Sequence, residues 1–510
     1  MRTRGDWIDG LRKMRRNVYL QGEKVARDDE RMENAINTIG LTFDYAENKK
    51  YADFMTATSH ITGETINRFC HVHQSKEDLH KKQDVTRFLC QKTGGCILRC
   101  MGIDGVNAIS CASYEADKDN NGATEYFTNF IKWLEHFQRE DLVGCCAQTD
   151  AKGNRPQRPS QQKDPDAYVH MVERKSDGIV VRGCKIHISA ASLSDEVIVV
   201  PTRSLLPEEK EWAVAFAIPG DWEDVKMVVR VSNVRPRKHF EKGVEQGLNE
   251  AMVIFEDTFI PWERVFLCGE TQHASVLALL FALYHRHSYC GCKPALSDVM
   301  LGTTALAAEY NGIHKEKHIR DKLAHMIMVA ELTYAAGFTG SELGGPKVFM
   351  PGVGVVPYGP GTFIPDSIYC NVGRCLAGEA YYQEMEILAD VSGGVPATLP
   401  YEEDWVNPET GYLLEKYSIR NPDISPQNQH LFWRHVGDIL CSAYGGAFAL
   451  AAVHGGGSPI MEKIAITGQY DIEARKNMVK YLAGIQTDAE PMAHTKVEAR
   501  VGRGGTRHRR

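Results

Sequence analysis

No uninterrupted apolar run of about 18 residues occurs anywhere in the sequence, which excludes a membrane-spanning helix. The opening residues, MRTRGDWIDGLRKMRRNVYL, lack the apolar core of a secretory leader, so the protein is expected in the cytoplasm. Basic charge is not in excess: the formal net charge is −7, which removes the electrostatic footprint expected of a nucleic-acid binder. Arg500, Arg503, Arg507, Arg509 and Arg510 do cluster, but among glycines at the extreme end, the texture of a flexible basic tail over 491–510. Internal repeats and low-complexity blocks are also missing. Cysteine, by contrast, is plentiful. Fourteen cysteines in a reducing compartment are not explained by disulfides, and they direct attention to a metal or cluster site.

At 510 residues the chain is long enough for about three domains, at roughly 150 residues each. Three textures follow one another. Residues 1–142 read as mainly helical, with Tyr126–Arg139 carrying apolar residues at helical intervals. From 143 to 272 short β-branched runs (Gly178–Gly183, Glu196–Pro201, Trp212–Pro219, Met252–Phe255) alternate with turn residues and predict a β domain. From 273 to 490 helical periods return at Thr303–Tyr310, Tyr381–Val391, Leu431–Val453 and Ile472–Ile485, interrupted by a Gly/Pro-rich loop over Gly344–Pro365. The fold class expected is α+β and multidomain.

Two cysteine-bearing stretches stand out. Cys96 and Cys100 lie four apart in QKTGGCILRCMGID; if this segment is helical after its glycines, both face one side. In LYHRHSYCGCKPALSD, His285, Tyr289, Cys292 and Lys293 fall at i, i+4, i+7 and i+8, one stripe of one helix. Thiolates and imidazole suit iron–sulfur clusters and zinc alike. A Cys3His structural zinc site fits the residue types, and so do plain core cysteines. The neighbouring phenol and amine argue for a catalytic pocket, because a structural zinc site needs neither.

The stretches QKTGGCILRCMGIDGVNA, NEAMVIFEDTFIPWERVFLC and YHRHSYCGCK resemble the 4-hydroxybutyryl-CoA dehydratase branch of the 4-hydroxyphenylacetate 3-hydroxylase family. The likeness spans about residues 7 to 486. It implies an acyl-CoA dehydrogenase-like fold with an N-terminal helical domain, a central β domain and a C-terminal helical bundle, assembled as a homotetramer (a dimer of dimers). It also implies FAD, a [4Fe-4S] cluster held by Cys96, Cys100, His285 and Cys292, and an acyl-CoA substrate dehydrated by a radical route without net redox change. Glu250, Tyr289, Lys293 and His285 match its catalytic residues. On pattern alone Glu250 is a solvated strand-end carboxylate.

The same resemblance marks QTDAKGNR, with Gln148, Thr149, Lys152 and Arg155, as a flavin-contacting loop that pattern alone reads as a polar turn. His187 and Ser189 in KIHIS match a strand facing the flavin. Gly393 and Gly394 read as a helix C-cap, and in folds of this kind a comparable loop touches the FAD of a neighbouring subunit. HGGGSP, from His454 to Pro459, opens a helix as an anion-binding turn would, and equally as a tight interhelical turn. Two positions depart from the family pattern. Ala451 stands where the motif has a glutamate, which leaves the acyl substrate open, and Cys290 replaces a glycine and is expected to be a bystander thiol. The competing readings are a flavin monooxygenase or acyl-CoA dehydrogenase, and a binding or assembly protein with structural zinc.

Overall fold

The computed structural model describes residues 1–241, 243–350 and 353–485, and the expected tail at 491–510 lies outside them. Helix α1 (Arg4–Lys13) starts at a capping box, in which the Thr3 hydroxyl accepts the Asp6 N–H while the Asp6 side chain accepts the Thr3 N–H. Its Trp7 stacks on Phe43 of α2 (Glu33–Glu47) at 5.6 Å. Between these helices the chain leaves the helical pattern before a short 3-10 turn at Glu30–Met32. Strands β1 (Val18–Leu20) and β2 (Glu23–Val25) form a hairpin about Gln21 and Gly22, both at positive φ, the geometry a two-residue hairpin turn requires.

Helix α3 (Lys76–Thr93) begins at Ser75, whose hydroxyl accepts the Asp78 N–H, and ends at Gly94 in the left-handed region. After a short link comes α4 (Cys100–Asp119), buried along most of its length. Helix α5 (Tyr126–Arg139) turns Tyr126, Phe130, Trp133, Leu134 and Phe137 inward, as its apolar spacing requires.

The β region comprises β3 (Gly144–Ala147), β4 (His170–Arg174), β5 (Gly178–Ser189), β6 (Glu196–Val199), β7 (Val214–Pro219), β8 (Val225–Asn233), β9 (Gly247–Pro261) and β10 (Val265–Cys268). They form a six-stranded sheet, β2-β1-β8-β9-β5-β4, and a four-stranded one, β10-β7-β6-β3. The N-terminal hairpin thus completes the larger sheet, with β1 parallel to β8. Alternation in β8 sends Val225, Met227 and Val229 inward and Lys226, Val228 and Arg230 outward.

The C-terminal region is built on α6 (Thr271–Tyr310), a 40-residue helix that runs through Pro294 and packs against α3, α4, α7 (Lys317–Glu342) and α8 (Ser367–Ser392). The Gly344–Pro365 stretch is not all loop: Lys347–Met350 and Gly354–Pro357 pair as a hairpin. The helix expected over Leu431–Val453 is two helices, α9 (Pro426–Leu440) and α10 (Ala443–His454). Ser442 caps the second by accepting the Gly445 N–H, so the chain restarts there. Helices α11 (Pro459–Gln469) and α12 (Ile472–Leu482) follow. Among the described residues no single helix is long and apolar enough to cross a membrane.

Gly291 sets how closely α6 approaches α3. A Cβ at this position would stand 2.5 Å from the Gln83 carbonyl oxygen. The Gln83 amide in turn donates to the carbonyls of Cys290 at 3.0 Å and Tyr334 at 2.8 Å, joining α3 to α6 and α7. Gly291→Val is expected to lower unfolding free energy by about 1–3 kcal/mol through overpacking, measured by urea denaturation.

Candidate active site

Helix α6 carries His285, Tyr289, Cys292 and Lys293 on one buried stripe, as their spacing predicts. The other two thiols are presented differently from expectation. Cys96 is not helical: Gly94, Gly95 and Leu98 all have positive φ, so residues 94–99 form an irregular link, and α4 starts at Cys100. Gly95 is needed there, since a Cβ would stand 2.5 Å from the Phe448 ring. One thiol therefore comes from a loop and one from a helix N-terminus. Cys96, Cys100 and Cys292 lie close enough for the charge of each to act on the others. The Cys292 thiol is pulled below its ordinary value by a hydrogen bond from Cys90 and by the Lys293 and Arg374 charges, the direction that favours a ligating thiolate. Cys290, one residue from this stripe, points elsewhere, towards the Cys370 carbonyl and Gly373 of α8.

The pattern of residues gave no role to Asp104, one helical turn beyond Cys100, yet it organises the site. Ligand atoms of Cys100, Asp104 and His285 lie within 4.8 Å of one another. Asp104 is fully buried, and its carboxylate accepts from Lys82 Nζ at 2.5 Å, from Ser288 Oγ at 3.0 Å, and pairs with His285 Nδ1 at 2.9 Å. Burial works against its charge, but Lys82 and the imidazole prevail and hold the carboxyl below its usual range. With its lone pairs committed in this way, Asp104 is an orienting partner of the histidine rather than a metal ligand. Binding Nδ1 leaves His285 Nε2 free, the arrangement in which a carboxylate-backed histidine can offer that nitrogen to a metal. The i,i+4 spacing of Cys100 and Asp104 was the one signal in the sequence that pointed here.

Glu250 is the fourth residue of β9, paired across the sheet with Ser189 of β5 and Arg230 of β8. It is half-buried rather than solvated. Ser189 Oγ lies 2.8 Å from both its carboxylate oxygens, and burial pushes the carboxyl up to about 7. A bulge between Ala251 and Val253 throws His187 outward at φ 61°, where the charge of Lys152 reaches it. The loop over 148–155 runs beside this strand: the Thr149 carbonyl accepts the Ile186 N–H, and Lys152 and Arg155 are near neighbours. The Gln148 amide is already engaged, donating to the Ala278 carbonyl at 2.8 Å. Gly393 and Gly394 are not joined to this group by any hydrogen bond among the described residues; theirs stay local, with Ala389, Ala397 and Thr398.

Facing the thiols, Tyr289 Oη donates to the Ala451 carbonyl at 3.3 Å. Lys293 Nζ lies 4.9 Å from the Tyr289 ring centre and 5.9 Å from that of Phe448, and burial pushes its ammonium down. Glu384 of α8, also missed by the sequence pattern, is buried near Lys293, with its carboxyl raised to about 7 by burial.

The geometry is that of a two-sided site, a thiol–imidazole cluster facing a polar sheet edge, and the chain belongs to the 4-hydroxyphenylacetate 3-hydroxylase family. The family's N-terminal model matches residues 3–267 and its C-terminal model residues 274–484. Within that family the chain is 36% identical over 501 residues to the 4-hydroxybutyryl-CoA dehydratase/vinylacetyl-CoA-Δ-isomerase of Clostridium aminobutyricum, covering 95% of this chain and 99% of that protein. The solved structure of an oxygen-tolerant archaeal 4-hydroxybutyryl-CoA dehydratase from N. maritimus superposes with a TM-score of 0.88 at 33% identity, over 98% of this chain and 99% of that one. The oxygenase component of 4-hydroxyphenylacetate 3-monooxygenase, solved with FAD, shares the fold at a TM-score of 0.81 and 24% identity, over 94% and 98% of the two chains.

Two outcomes follow from this geometry. Asp104→Asn frees the imidazole and leaves Lys82 buried without a counter-charge. It is expected to lower retention of a metal held at His285 by about 10- to 100-fold, read by metal analysis after dialysis. The raised carboxyl of Glu250 means that the folded state binds more protons than the unfolded chain between its ordinary 4.5 and about 7. Its contribution is therefore present below that window and lost as pH rises through it. Urea midpoints of the parent should fall across the window relative to Glu250→Gln.

Proposed function

We propose that this protein dehydrates 4-hydroxybutyryl-CoA to crotonyl-CoA, and isomerises vinylacetyl-CoA, using FAD and a [4Fe-4S] cluster. The observation that carries the reading is the grouping of buried Cys100, Cys292 and His285 with half-buried Cys96, Nε2 being left to coordinate because Asp104 holds Nδ1. Three thiols and one imidazole fit a cluster with one iron held less firmly than the others. The polar edge formed by Thr149, Lys152, Arg155, His187 and Ser189 suits a flavin, with Lys152 and Arg155 supplying positive charge for its phosphates. A relative of the same fold was solved with FAD.

When bound, the flavin would supply a one-electron partner and the cluster a Lewis-acidic iron, which together make an unactivated β C–H bond of the acyl chain acidic enough to break. The chain's own residues would handle protons and charge. Glu250, with its carboxyl near 7, can hold or accept a proton at physiological pH, and Ser189 fixes its orientation. Tyr289 Oη offers a further proton-carrying atom on the opposite wall, His285 Nε2 would offer another when released from the metal, and Lys293 adds positive charge between them and Phe448. At position 451 a backbone carbonyl meets Tyr289 and no carboxylate is present, so a related acyl-CoA is the second reading of the substrate.

The same reading includes a division into 1–142, 143–272 and 273–490 in an acyl-CoA-dehydrogenase-like arrangement, and a cytoplasmic homotetramer. Exposed Ile460, Met461, Ile464, Val479, Tyr481 and Leu482 on α11 and α12 form the kind of apolar face that subunit contacts cover. The test is anaerobic purification with iron, sulfide and flavin analysis, followed by assay of crotonyl-CoA formation. About four irons per chain with turnover that His285→Ala abolishes, the fold being retained, is expected. Zinc without iron, or flavin with no metal and oxygen-dependent hydroxylation, would overturn the reading.

A further inference from the structure

We infer that Arg374 is a positioning residue that fixes the Tyr289 ring, an inference that rests on the reaction proposed above. Arg374 is 0% exposed, and its guanidinium carbon lies 4.6 Å from the Tyr289 ring centre. Nη2 donates to the Val453 carbonyl at 2.7 Å, and Nε lies 3.7 Å from the carboxylate of Glu462, itself fully buried. Among the described residues, Nε and Nη1 make no hydrogen bond. Burying a guanidinium so sparsely bonded is costly, and an apolar side chain of similar volume would fill the space without that cost. The charge lies where it acts on the tyrosine, over the π face of the ring.

The glycine run between His454 and Pro459 takes its meaning from this arrangement. A Cβ at Gly455 would stand 1.6 Å from Tyr289 Oη, one at Gly456 2.9 Å from Arg374 Nε, and one at Gly457 2.9 Å from Arg286 Nη2. Arg286 completes the cluster, donating to the Gly456 carbonyl at 2.9 Å and to Asn371 Oδ1 at 2.7 Å. The turn offers the Gly456 carbonyl to Arg286 and the helix end before it offers Val453 to Arg374, with Glu462 as their counter-ion, so this corner is built to admit side chains and not to cradle an anion. With alanine at 451 no side chain there reaches the phenol. The ring is held instead by the cations of Arg374 and Lys293 over it and by His285 edge-on at 4.9 Å and 81°.

The test places 3-fluorotyrosine at position 289 of the full chain and records its fluorine resonance in the parent, Arg374→Met, Arg374→Lys and Gly378→Ala. A Cβ at Gly378 would stand 2.3 Å from Arg374 Nη1, so that variant displaces the guanidinium while keeping its charge. The resonance is expected to move in Arg374→Met and Gly378→Ala and to return towards the parent position in Arg374→Lys. In loaded enzyme carrying the natural tyrosine, kcat should fall about 100-fold in Arg374→Met with little change in KM, the scale of a misplaced reacting group. A resonance unmoved in both displaced variants, or kcat within about threefold of the parent, overturns the inference. Gly378→Ala decides the matter should Arg374→Met fail to fold. The resonance requires neither flavin nor cluster, so it still reads the coupling if the proposed reaction itself fails.

Discussion

The site and the helical core hang on one buried carboxylate. Asp104 of α4 receives Lys82 from α3, and Ser288 and His285 from α6, inside a region from which water is excluded. In so low a dielectric the ammonium and carboxylate cannot separate without leaving two uncompensated charges, so the three helices are held in one register. The helix that supplies Asp104 begins at Cys100, and the helix that supplies His285 continues to Cys292. The contact that aligns the helices therefore also aims Cys100, His285 and Cys292, the ligands proposed, and close approach at Gly291 makes room for it.

Around this anchor the charges are sorted by side. On the α6 face, Lys293 and Arg374 flank Cys292 and favour its thiolate, whereas Cys90, raised by burial, remains the protonated donor to it. On the sheet face, Glu250 is paired with a hydroxyl and, among the described residues, not with a cation at hydrogen-bonding distance, so burial raises it into the range where a proton is exchanged near neutrality. Titratable groups whose environments push them in opposite directions are what proton-transfer chemistry at a single site requires. Neither wall could create this contrast alone, since one belongs to a helix bundle and the other to a strand edge.

Much of the secondary structure follows from local pattern. Tyr126–Arg139 is helical over the span its apolar period marks, and the β-branched runs after residue 143 are strands. Pattern failed where short-range signals compete with packing. The β1–β2 hairpin is too short to show a period and exists because β8 pairs with it. Leu431–Val453 has an unbroken apolar texture that hides the cap at Ser442. A four-residue cysteine spacing could not reveal that Gly95 must pass beneath Phe448, which keeps Cys96 out of any helix.

By itself the sequence determined the stripe of His285, Tyr289, Cys292 and Lys293, because i, i+4, i+7 and i+8 is a property of any α-helix. It also carried the likeness to the 4-hydroxyphenylacetate 3-hydroxylase family. Tertiary structure decided what those residues meet. Asp104 and Lys82 are 22 positions apart, and Arg374 and Tyr289 lie on different helices, so no local period relates them. Glu250 looked like a solvated strand residue until neighbouring strands and the helix bundle closed over it. The physical reason is the same in each case: local pattern records which face a residue occupies, while charge, protonation and orientation depend on the groups that burial brings against it.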